Sequence, residues 1–364
     1  MQSKYRDLHS GPVRQQFRIF DQNNRQKIDV NRSGSKSRKR LWLLLKLAVT
    51  IGLVVFVIYK ADLLDPDGRK ALWQTLRNVD LFYLAISFLV SVVANLVSTY
   101  KWQVLLLSRR IVVRLYRLFA LYYIGKFFNL FLPTGMGGDV VRVYELGKIT
   151  GTNTESLASV FIDRFTGMIT LTIVSLVAVL VSLREHDLPI ITYSLAVCVF
   201  LISILIWLML DRRPLALFSN LITGRFESLT PLIQKLARTH DAVRAYKDNL
   251  PTLWYTFAIS LLFYFLAVIN VWVSALAFSR EVEFLTILVA VPAIMLIMNL
   301  PVSIGGLGLM EAAYTIIFTS FGYSSGLAVS TALLIRLKTL IDGVVGSIFY
   351  LAKPEPISES REAS

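Results

Sequence analysis

The sequence is poor in the residues that build disulfides, metal sites and nucleotide-binding loops. It has one cysteine, Cys198, so an intrachain disulfide framework is impossible. The three histidines, His9, His186 and His240, are scattered without the spacing of metal ligands. No Walker A motif is present, so ATP hydrolysis by this chain is not expected. We therefore expect neither a metal nor a cofactor.

Charged residues are also scarce, at 17% of the chain, whereas hydrophobic residues make up 55%. A soluble domain carries about a quarter charged residues, so this composition is typical of a polytopic membrane protein. The apolar runs are continuous rather than alternating, which favours packed helices over a barrel. The expected fold class is an all-α membrane helix bundle.

The N-terminal segment 1–40 has the opposite composition, with eleven Lys and Arg against three Asp. High charge and low hydrophobicity predict a disordered tail. Its basic residues would hold it in the cytoplasm and attract anionic lipid headgroups, and nucleic-acid binding is not indicated. The first apolar run lacks a cleavage site after it, so we interpret it as an uncleaved anchor.

Six apolar runs are long enough to cross a bilayer, for which a helix needs about 20 residues. They are residues 41–59, 81–100, 155–183, 189–210, 250–278 and 327–351. Two further apolar runs are less regular: 118–132 is short, contains Lys126 and meets Pro133, and 284–300 contains Pro292 and ends at Pro301. If both crossed the bilayer completely, the chain would have eight crossings.

The distribution of positive charge indicates which runs cross completely. Loop 101–117 and segment 211–249 carry five and seven Lys or Arg, and both should be cytoplasmic. Residues 118–138 must then enter and return to the same side, and residues 284–321 form a second such hairpin from the outer side. With six crossings and two re-entrant hairpins, the cytoplasmic pieces hold 27 Lys and Arg against 6 outside. Both termini are then cytoplasmic, which fits a bacterial inner membrane.

Segment 214–239 differs from the rest, because its apolar residues recur every three or four positions with arginine and lysine between them. This pattern predicts an amphipathic helix at the cytoplasmic interface. Packing of the same helix against the bundle is the alternative.

The two interrupted runs resemble each other. "NLFLPTGMGGD" (129–139) and "NLPVSIGGLGLME" (299–311) both begin Asn-Leu, and in each a proline precedes a glycine pair by four positions. These residues are Pro133 with Gly137 and Gly138, and Pro301 with Gly305 and Gly306. Interrupted apolar segments at corresponding places in two halves are typical of inverted-topology transporters. The halves would be residues 81–183 and 250–351.

The chemistry of such breaks favours an anion. Proline ends a helix, and glycine permits a sharp reversal and close approach of a ligand. Broken backbone at membrane depth is tolerated only inside protein or beside a watery cavity. Each restarting helix would direct its N-terminal amides, and its positive dipole end, into that cavity.

Ionisable residues within the apolar segments are the candidate site, because such residues are costly in a membrane unless paired or solvated. Arg164 and Arg336 follow the glycine pairs by 26 and 30 residues, and we predict that they bind a phosphate. A structural ion pair with Asp163 or Glu311 is the alternative. The remaining candidates for headgroup binding are Lys126, Asp139, Arg142 and Glu311.

Four of the ionisable residues within the apolar segments have simpler interpretations as well. Asp139 is placed to cap the helix after the first break. Glu311 could complement the dipole of the helix after the second break. Lys338 and Asp342 are four residues apart and could pair with each other.

Four stretches carry a family resemblance: "LPTGMGGDVVR", "FIDRFTG", "NLPVSIGGLGLMEAAY" and "LLIRLKTLIDGVVG". They resemble the motifs of the lysylphosphatidylglycerol synthase transmembrane family, also called flippase-like, over about residues 41–351. This family includes the membrane half of bacterial aminoacyl-phosphatidylglycerol synthases, which moves the modified lipid between leaflets. Members without the synthase domain also occur, some of them linked to glycolipid or hopanoid pathways.

The resemblance implies binding and translocation of an anionic lipid. Only 13 residues follow Leu351, so we expect a member without the soluble aminoacyl-transferase domain and no lysyl transfer. Two other functions stay open: an enzyme that modifies a lipid headgroup, and a scaffold that docks a separate synthase through its basic tail. No recognisable catalytic spacing is present, which argues against an enzyme.

Overall fold

The computed structural model describes residues 77–131, 137–182, 249–299 and 305–352, with single positions outside these ranges. Every regular element in this part of the chain is an α-helix, which confirms the all-helical prediction. The predicted runs 41–59 and 189–210, the amphipathic helix 214–239 and both tails lie largely or wholly outside the described residues.

Eight helices make up the described structure, and all belong to the unit Thr50–Ser364. In chain order they are α1 (Leu81–Ser108), α2 (Leu115–Phe131), α3 (Gly137–Thr150), α4 (Asn153–Ser182), α5 (Leu250–Leu276), α6 (Phe284–Met298), α7 (Leu309–Ser320) and α8 (Ser325–Leu351).

Three of these helices are long and apolar enough to cross a membrane: Leu81–Ser108, Asn153–Ala178 and Leu250–Leu276. Helix α8 is also long enough, with 27 residues, but it carries Arg336, Lys338 and Asp342. Large apolar side chains remain exposed on these helices, among them Leu81, Val177, Trp254 and Val344. Exposed apolar surface of this kind is expected where lipid covers a protein.

Side-chain caps set where several helices begin. The carboxylate of Asp80 accepts a hydrogen bond from the Phe82 amide at the start of α1. Asn249 and Ser324 do the same for the amides of Thr252 and Leu327 at the starts of α5 and α8. Each cap satisfies one of the amides that a helix start leaves without a partner.

Helix α1 is longer than predicted, because it continues to Ser108 instead of ending near residue 100. The extra turns bury Trp102, Leu105 and Leu106. Lys101 is consequently a buried helical residue, and its assignment to a cytoplasmic loop was wrong. The loop between α1 and α2 is confined to residues 109–114.

Helices of the first part of the chain pack against helices of the second. Helix α1 packs along α5, α2 along α8, and α4 along α6. Within the halves, α3 packs against α4 and α7 against α8. A large apolar core occupies the second half around Phe318, Ile287 and Val291, and a smaller one surrounds Trp102 and Leu118 in the first.

Separate helices lie on either side of both predicted breaks. Helix α2 ends at Phe131 and α3 begins at Gly137, while α6 ends at Met298 and α7 begins at Leu309. Pro133 and Pro301 lie outside the described residues, so their part in the breaks stays a prediction. Pro292 lies inside α6, which continues past it.

Candidate functional site

Arg164 is the centre of the charged site in the first half. It is the twelfth residue of α4 and reaches across to Asp139 in the first turn of α3. Its Nε and Nη2 donate to the two carboxylate oxygens of Asp139, both at 2.8 Å. The Arg164 side chain is 51% exposed although its partner is only 14% exposed. A guanidinium on the surface of a cavity is thus held in a fixed orientation.

Two more cations extend this pair into the protein. The buried Arg142 donates to Asp139 at 3.2 Å and to Asp163 at 3.4 Å. Lys101 lies 2.9 Å from an Asp163 carboxylate oxygen and donates to the Asp163 carbonyl at 2.8 Å. Lys101, Asp139, Arg142, Asp163 and Arg164 form what we call the five-charge cluster.

The five-charge cluster is not electrically balanced. It holds three cations and two carboxylates, so one positive charge is in excess when all five are ionised. The guanidinium of Arg142 also lies over the rings of Trp102, at 4.1 Å, and Tyr122, at 5.0 Å, which stabilises a cation there. An excess cation in an apolar bundle is a site that an anion would neutralise.

A cavity of about 80 Å³ adjoins this cluster. Its polar lining comes from four helices and from the end of α6: Ser98, Lys101, Tyr122, Asp163, Arg164, Ser260, Tyr264 and Asn299. Gly167 forms part of the wall and its carbonyl accepts a hydrogen bond of 2.9 Å from the Tyr264 hydroxyl. Hydroxyls, an amide and two cations therefore converge on one space.

The second half contains a similar pair, but it is closed. Nε and Nη2 of Arg336 donate to the carboxylate of Glu311, at 2.9 and 3.2 Å. Its Nη1 and Nη2 also donate to the carbonyls of Gly305 and Gly306, at 3.0 and 2.7 Å. The two charged side chains are only 11% and 13% exposed. Arg336 is thus committed to protein partners.

Both glycines at this break adopt a conformation that other residues avoid. Gly305 and Gly306 have φ of 58° and 71°, in the left-handed region. That conformation turns both carbonyls toward Arg336, which the hydrogen bonds above require. Glycine is therefore favoured at both positions of this predicted break, because the backbone has to adopt positive φ to place the two carbonyls beside Arg336.

The two acid–arginine pairs occupy matching positions. Arg164 follows Asp139 by 25 residues, and Arg336 follows Glu311 by 25 residues. Each acid is the third residue of its helix and each arginine the twelfth of the next. The two pairs therefore share the same spacing along the chain and the same positions in their helices.

Close helix contact at the first break depends on glycine. A Cβ at Gly138 would overlap the carbonyl oxygen of Gly125 on α2. The amide of Gly138 donates to the side-chain oxygen of Asn129 at 2.6 Å, so Asn129 supports the start of α3. Asp139 lies one residue further, inside the first turn, and the prediction that it caps this helix was wrong.

The two breaks also approach each other. A Cβ added at Gly305 would lie 3.1 Å from the carbonyl oxygen of Leu130, in the last turn of α2. Asn299, at the end of α6, lines the cavity beside Arg164. Residues at the second break therefore lie beside the end of α2 and line the cavity at Arg164.

A separate polar group joins α1, α2 and α8. Lys126 lies 2.7 Å from the carboxylate of Asp342 and donates to Asn95 at 2.6 Å. The Asn95 amide donates to Asp342 at 3.2 Å and to the Tyr123 hydroxyl at 3.0 Å. Lys126 is therefore in an ion pair of its own, and its ammonium and the Arg142 guanidinium both lie over the Tyr122 ring.

The suggested pairing of Lys338 with Asp342 was wrong. Lys338 donates to the side chains of Asn270 and Ser274 on α5. Asp342 pairs with Lys126 on α2, whereas Lys338 contacts α5, because the two residues face different neighbouring helices.

Sequence reasoning had missed several residues of the site. Lys101 was hidden by its assignment to a loop, and Tyr122, Ser260 and Tyr264 carry no charge that would single them out. Of the predicted site residues, the structure brings Asp139, Arg142 and Arg164 together in one cluster. Arg336 and Glu311 form a separate pair. Among the described residues, no three His, Cys, Asp or Glu side chains gather as a metal site.

Comparison with known proteins identifies the family. Residues 43–346 match the lysylphosphatidylglycerol synthase TM region family. The chain is also 24% identical over 302 residues to a UPF0104 membrane protein of Methanothermobacter thermautotrophicus, covering 78% of this chain and 89% of the relative. No solved structure matches it. Because the family match covers most of its length, the chain is a membrane protein that belongs to the lysylphosphatidylglycerol synthase TM region family.

Proposed function

We propose that the protein binds an anionic lipid by its headgroup phosphate at the cavity beside Arg164 and moves that lipid between leaflets. One observation carries the proposal: the five-charge cluster has one positive charge in excess and adjoins a polar cavity. A phosphodiester has a single negative charge and would neutralise that excess. A guanidinium also matches phosphate with two parallel hydrogen bonds.

The lipid would replace part of the hydrogen bonding that Arg164 now gives to Asp139. Arg164 is the exposed member of the cluster, whereas Arg142 and Asp163 are buried and fixed. Tyr122 in the lining can donate its hydroxyl hydrogen to a remaining phosphate oxygen. The acyl chains would stay in the bilayer, where the exposed apolar faces already lie.

For the membrane arrangement, we propose six crossings with two re-entrant hairpins related by an inverted repeat. The matching acid–arginine pairs, each 25 residues apart, support two equivalent halves. The closeness of Gly305 to Leu130 supports hairpins that meet inside the bundle. The excess of Lys and Arg in 101–117 and 211–249 supports cytoplasmic termini and a cytoplasmic plasma-membrane face.

The experiment combines lipid binding and lipid movement. Full-length protein is extracted gently, and native mass spectrometry identifies the lipid that stays bound. The protein is then placed in liposomes that contain fluorescently labelled phosphatidylglycerol, and movement between leaflets is followed by quenching with dithionite. We expect Arg164→Gln to lose the bound anionic lipid and to slow movement by at least about tenfold, the equivalent of about 1.4 kcal/mol.

The matched control is Arg280→Gln. Arg280 also pairs with an aspartate, Asp80, but its side chain is 67% exposed and lies far from the cluster in sequence. The control should bind and move lipid as the unaltered protein does. Wild-type rates in a folded Arg164→Gln protein would contradict the proposal.

The enzyme alternative is less well supported. Each of Asp139, Asp163, Glu311 and Asp342 lies within 4 Å of a cationic side chain, so all four carboxylates are engaged in ion pairs. A deletion strain separates the two functions. An unchanged lipid inventory with altered sidedness supports translocation, whereas the loss of one lipid species supports an enzyme.

A further inference from the structure

Within the part of the chain that the structure describes, Lys338 is a buried cation without a carboxylate in an ion pair with it. It lies in the middle of α8 with 3% of its surface exposed. Its ammonium donates to the side-chain oxygen of Asn270 and to the Ser274 hydroxyl, the latter at 2.8 Å. Neither partner is charged, and no ion pair joins Lys338 to any other described residue. An unpaired ammonium at membrane depth costs several kcal/mol, so such residues are usually functional.

The charges around Lys338 do not balance it. Asp342, one turn further along α8, is held by Lys126 from α2 and by Asn95 from α1. Tyr123 of α2 is bonded to the same Asn95. The acid that α7 brings to this helix, Glu311, is taken by Arg336. Lys126, Lys338 and Asp342 together therefore hold one positive charge in excess.

The contacts of Lys338 suit both of its protonation states. As an ammonium it donates to Asn270 and Ser274 at once. As a neutral amine it can still donate to the Asn270 side chain and accept from the Ser274 hydroxyl. In the structure that hydroxyl donates to the backbone carbonyl of Asn270. The exchange breaks or forms one N–H bond and leaves no buried group without a partner. An arginine could not do this, because its guanidinium stays protonated.

We propose that Lys338 is a proton-binding site that couples lipid movement to a proton gradient. The inference rests on the proposed function, because a phosphodiester headgroup is a single negative charge. Moving one elementary charge across a membrane costs about 2.3 kcal/mol per 100 mV. A proton carried on Lys338 in the same step cancels that charge, and the neutral amine returns with the empty site. The proton comes from water on one side and is released to water on the other.

The full-length protein in liposomes tests this. Labelled phosphatidylglycerol is present in both leaflets, a pH difference is imposed, and the membrane potential is clamped with valinomycin and potassium. A pH-sensitive dye inside the liposomes records proton movement. With one proton moved per lipid, each pH unit should shift the ratio of lipid between leaflets about tenfold.

Three variants fix the protonation of this site in different ways. Lys338→Met has no exchangeable proton, Lys338→Arg keeps its proton, and Asn270→Asp gives Lys338 an ionic partner of nearly unchanged shape. All three should lose the dependence on the pH difference. Asn270→Asp keeps the lysine in place. It therefore tests whether Lys338 carries the coupled proton even if a lysine variant fails to fold. Lys148→Met, which alters an exposed lysine paired with Glu145, should respond as the unaltered protein does.

The outcomes separate the two proposals. If the unaltered protein moves lipid equally well with and without the pH difference, the proton site is wrong and the proposed function stands. If folded Lys338 variants still respond to the pH difference, Lys338 is not the coupling residue. If the unaltered protein moves no lipid under any condition, the proposed function fails and the coupling fails with it.

Discussion

Asp139 and Arg164 are joined by two hydrogen bonds of 2.8 Å between neighbouring helices, and the arginine is the more exposed of the two. The carboxylate therefore competes with any anion that approaches the guanidinium from the cavity. The Asp139 carboxylate also affects the net charge of the five-charge cluster. That charge would rise from +1 to +2 if Asp139 were neutral.

We expect Asp139→Asn to strengthen the binding of anionic lipid. Loss of the competing charge in a partly exposed pair should contribute about 1 kcal/mol, or about fivefold in affinity. Competition between phosphatidylglycerol and a zwitterionic lipid, read by native mass spectrometry, measures the change. Asp80→Asn, which removes the carboxylate from the exposed Arg280 pair, is the control. Weaker binding in Asp139→Asn would mean that Asp139 itself contacts the headgroup.

A second prediction concerns stability in the other half. Arg336 makes two bonds to Glu311 and one each to the carbonyls of Gly305 and Gly306. Lysine keeps the charge but cannot reproduce this fork of donors. We expect Arg336→Lys to lower the free energy of unfolding by about 3 kcal/mol, as for other broken buried pairs.

Thermal or denaturant unfolding in detergent measures this loss. The matched variant Arg280→Lys alters an arginine whose side chain is 67% exposed, and it should cost less than about 1 kcal/mol. Equal losses in the two variants would show that the Arg336–Glu311 pair is no more protected from water than a surface pair.

The third prediction uses two glycines in different surroundings. A Cβ at Gly138 would overlap the backbone of Gly125, which cannot move aside as a flexible side chain does. Gly138→Ala should therefore force α2 and α3 apart and destabilise the protein by about 3 kcal/mol or more. Gly326→Ala places the same methyl group where no atom lies within 4 Å. It should be neutral or slightly stabilising, because alanine favours a helix.

Unfolding in detergent again provides the comparison, now between two alanine variants of one protein. A Gly138→Ala protein as stable as Gly326→Ala would mean that the close approach of α2 and α3 is not required.

The sequence predicted much of the fold, because the evidence for it is local. A run of apolar residues predicts a helix at its own position, and the breaks at 132–136 and 299–308 were marked by glycines and prolines nearby. The continuation of α1 to Ser108 was missed because Lys101 looked like the beginning of a loop. Its burial depends on Asp163, which is 62 residues away.

The candidate site was predicted less completely, since pairing depends on which helices are neighbours. Alignment on the glycine pairs put Arg164 and Arg336 at unequal distances, 26 and 30 residues downstream. Alignment on Asp139 and Glu311 makes both distances 25. The segment between the glycine pair and the acid is longer at the second break. The distance from the acid to the arginine is therefore the same in both halves, whereas the distance from the glycines is not. The sequence alone does not reveal whether the acid or the glycine pair contacts the arginine's helix at a constant position.

The last prediction concerns the orientation of the chain in the membrane. The charge bias places loop 109–114 in the cytoplasm and loop 279–283 outside. Arg114 and Glu281 are exposed residues in or beside these loops, so a cysteine at either position would be open to water. Replacing Cys198 by serine removes the only native thiol.

In that background, a membrane-impermeant maleimide added to intact cells should label Glu281→Cys and leave Arg114→Cys unlabelled. Both should react after the membrane is permeabilised, which controls for accessibility. The physical reason is that Arg114 shares loop 109–114 with Arg109 and Arg110, whose transfer across the bilayer is unfavourable, whereas loop 279–283 carries one arginine beside two glutamates. Labelling of both residues in intact cells would place them on the same side. The helices between them would then cross an even number of times, and the inverted relation of the two halves would be wrong.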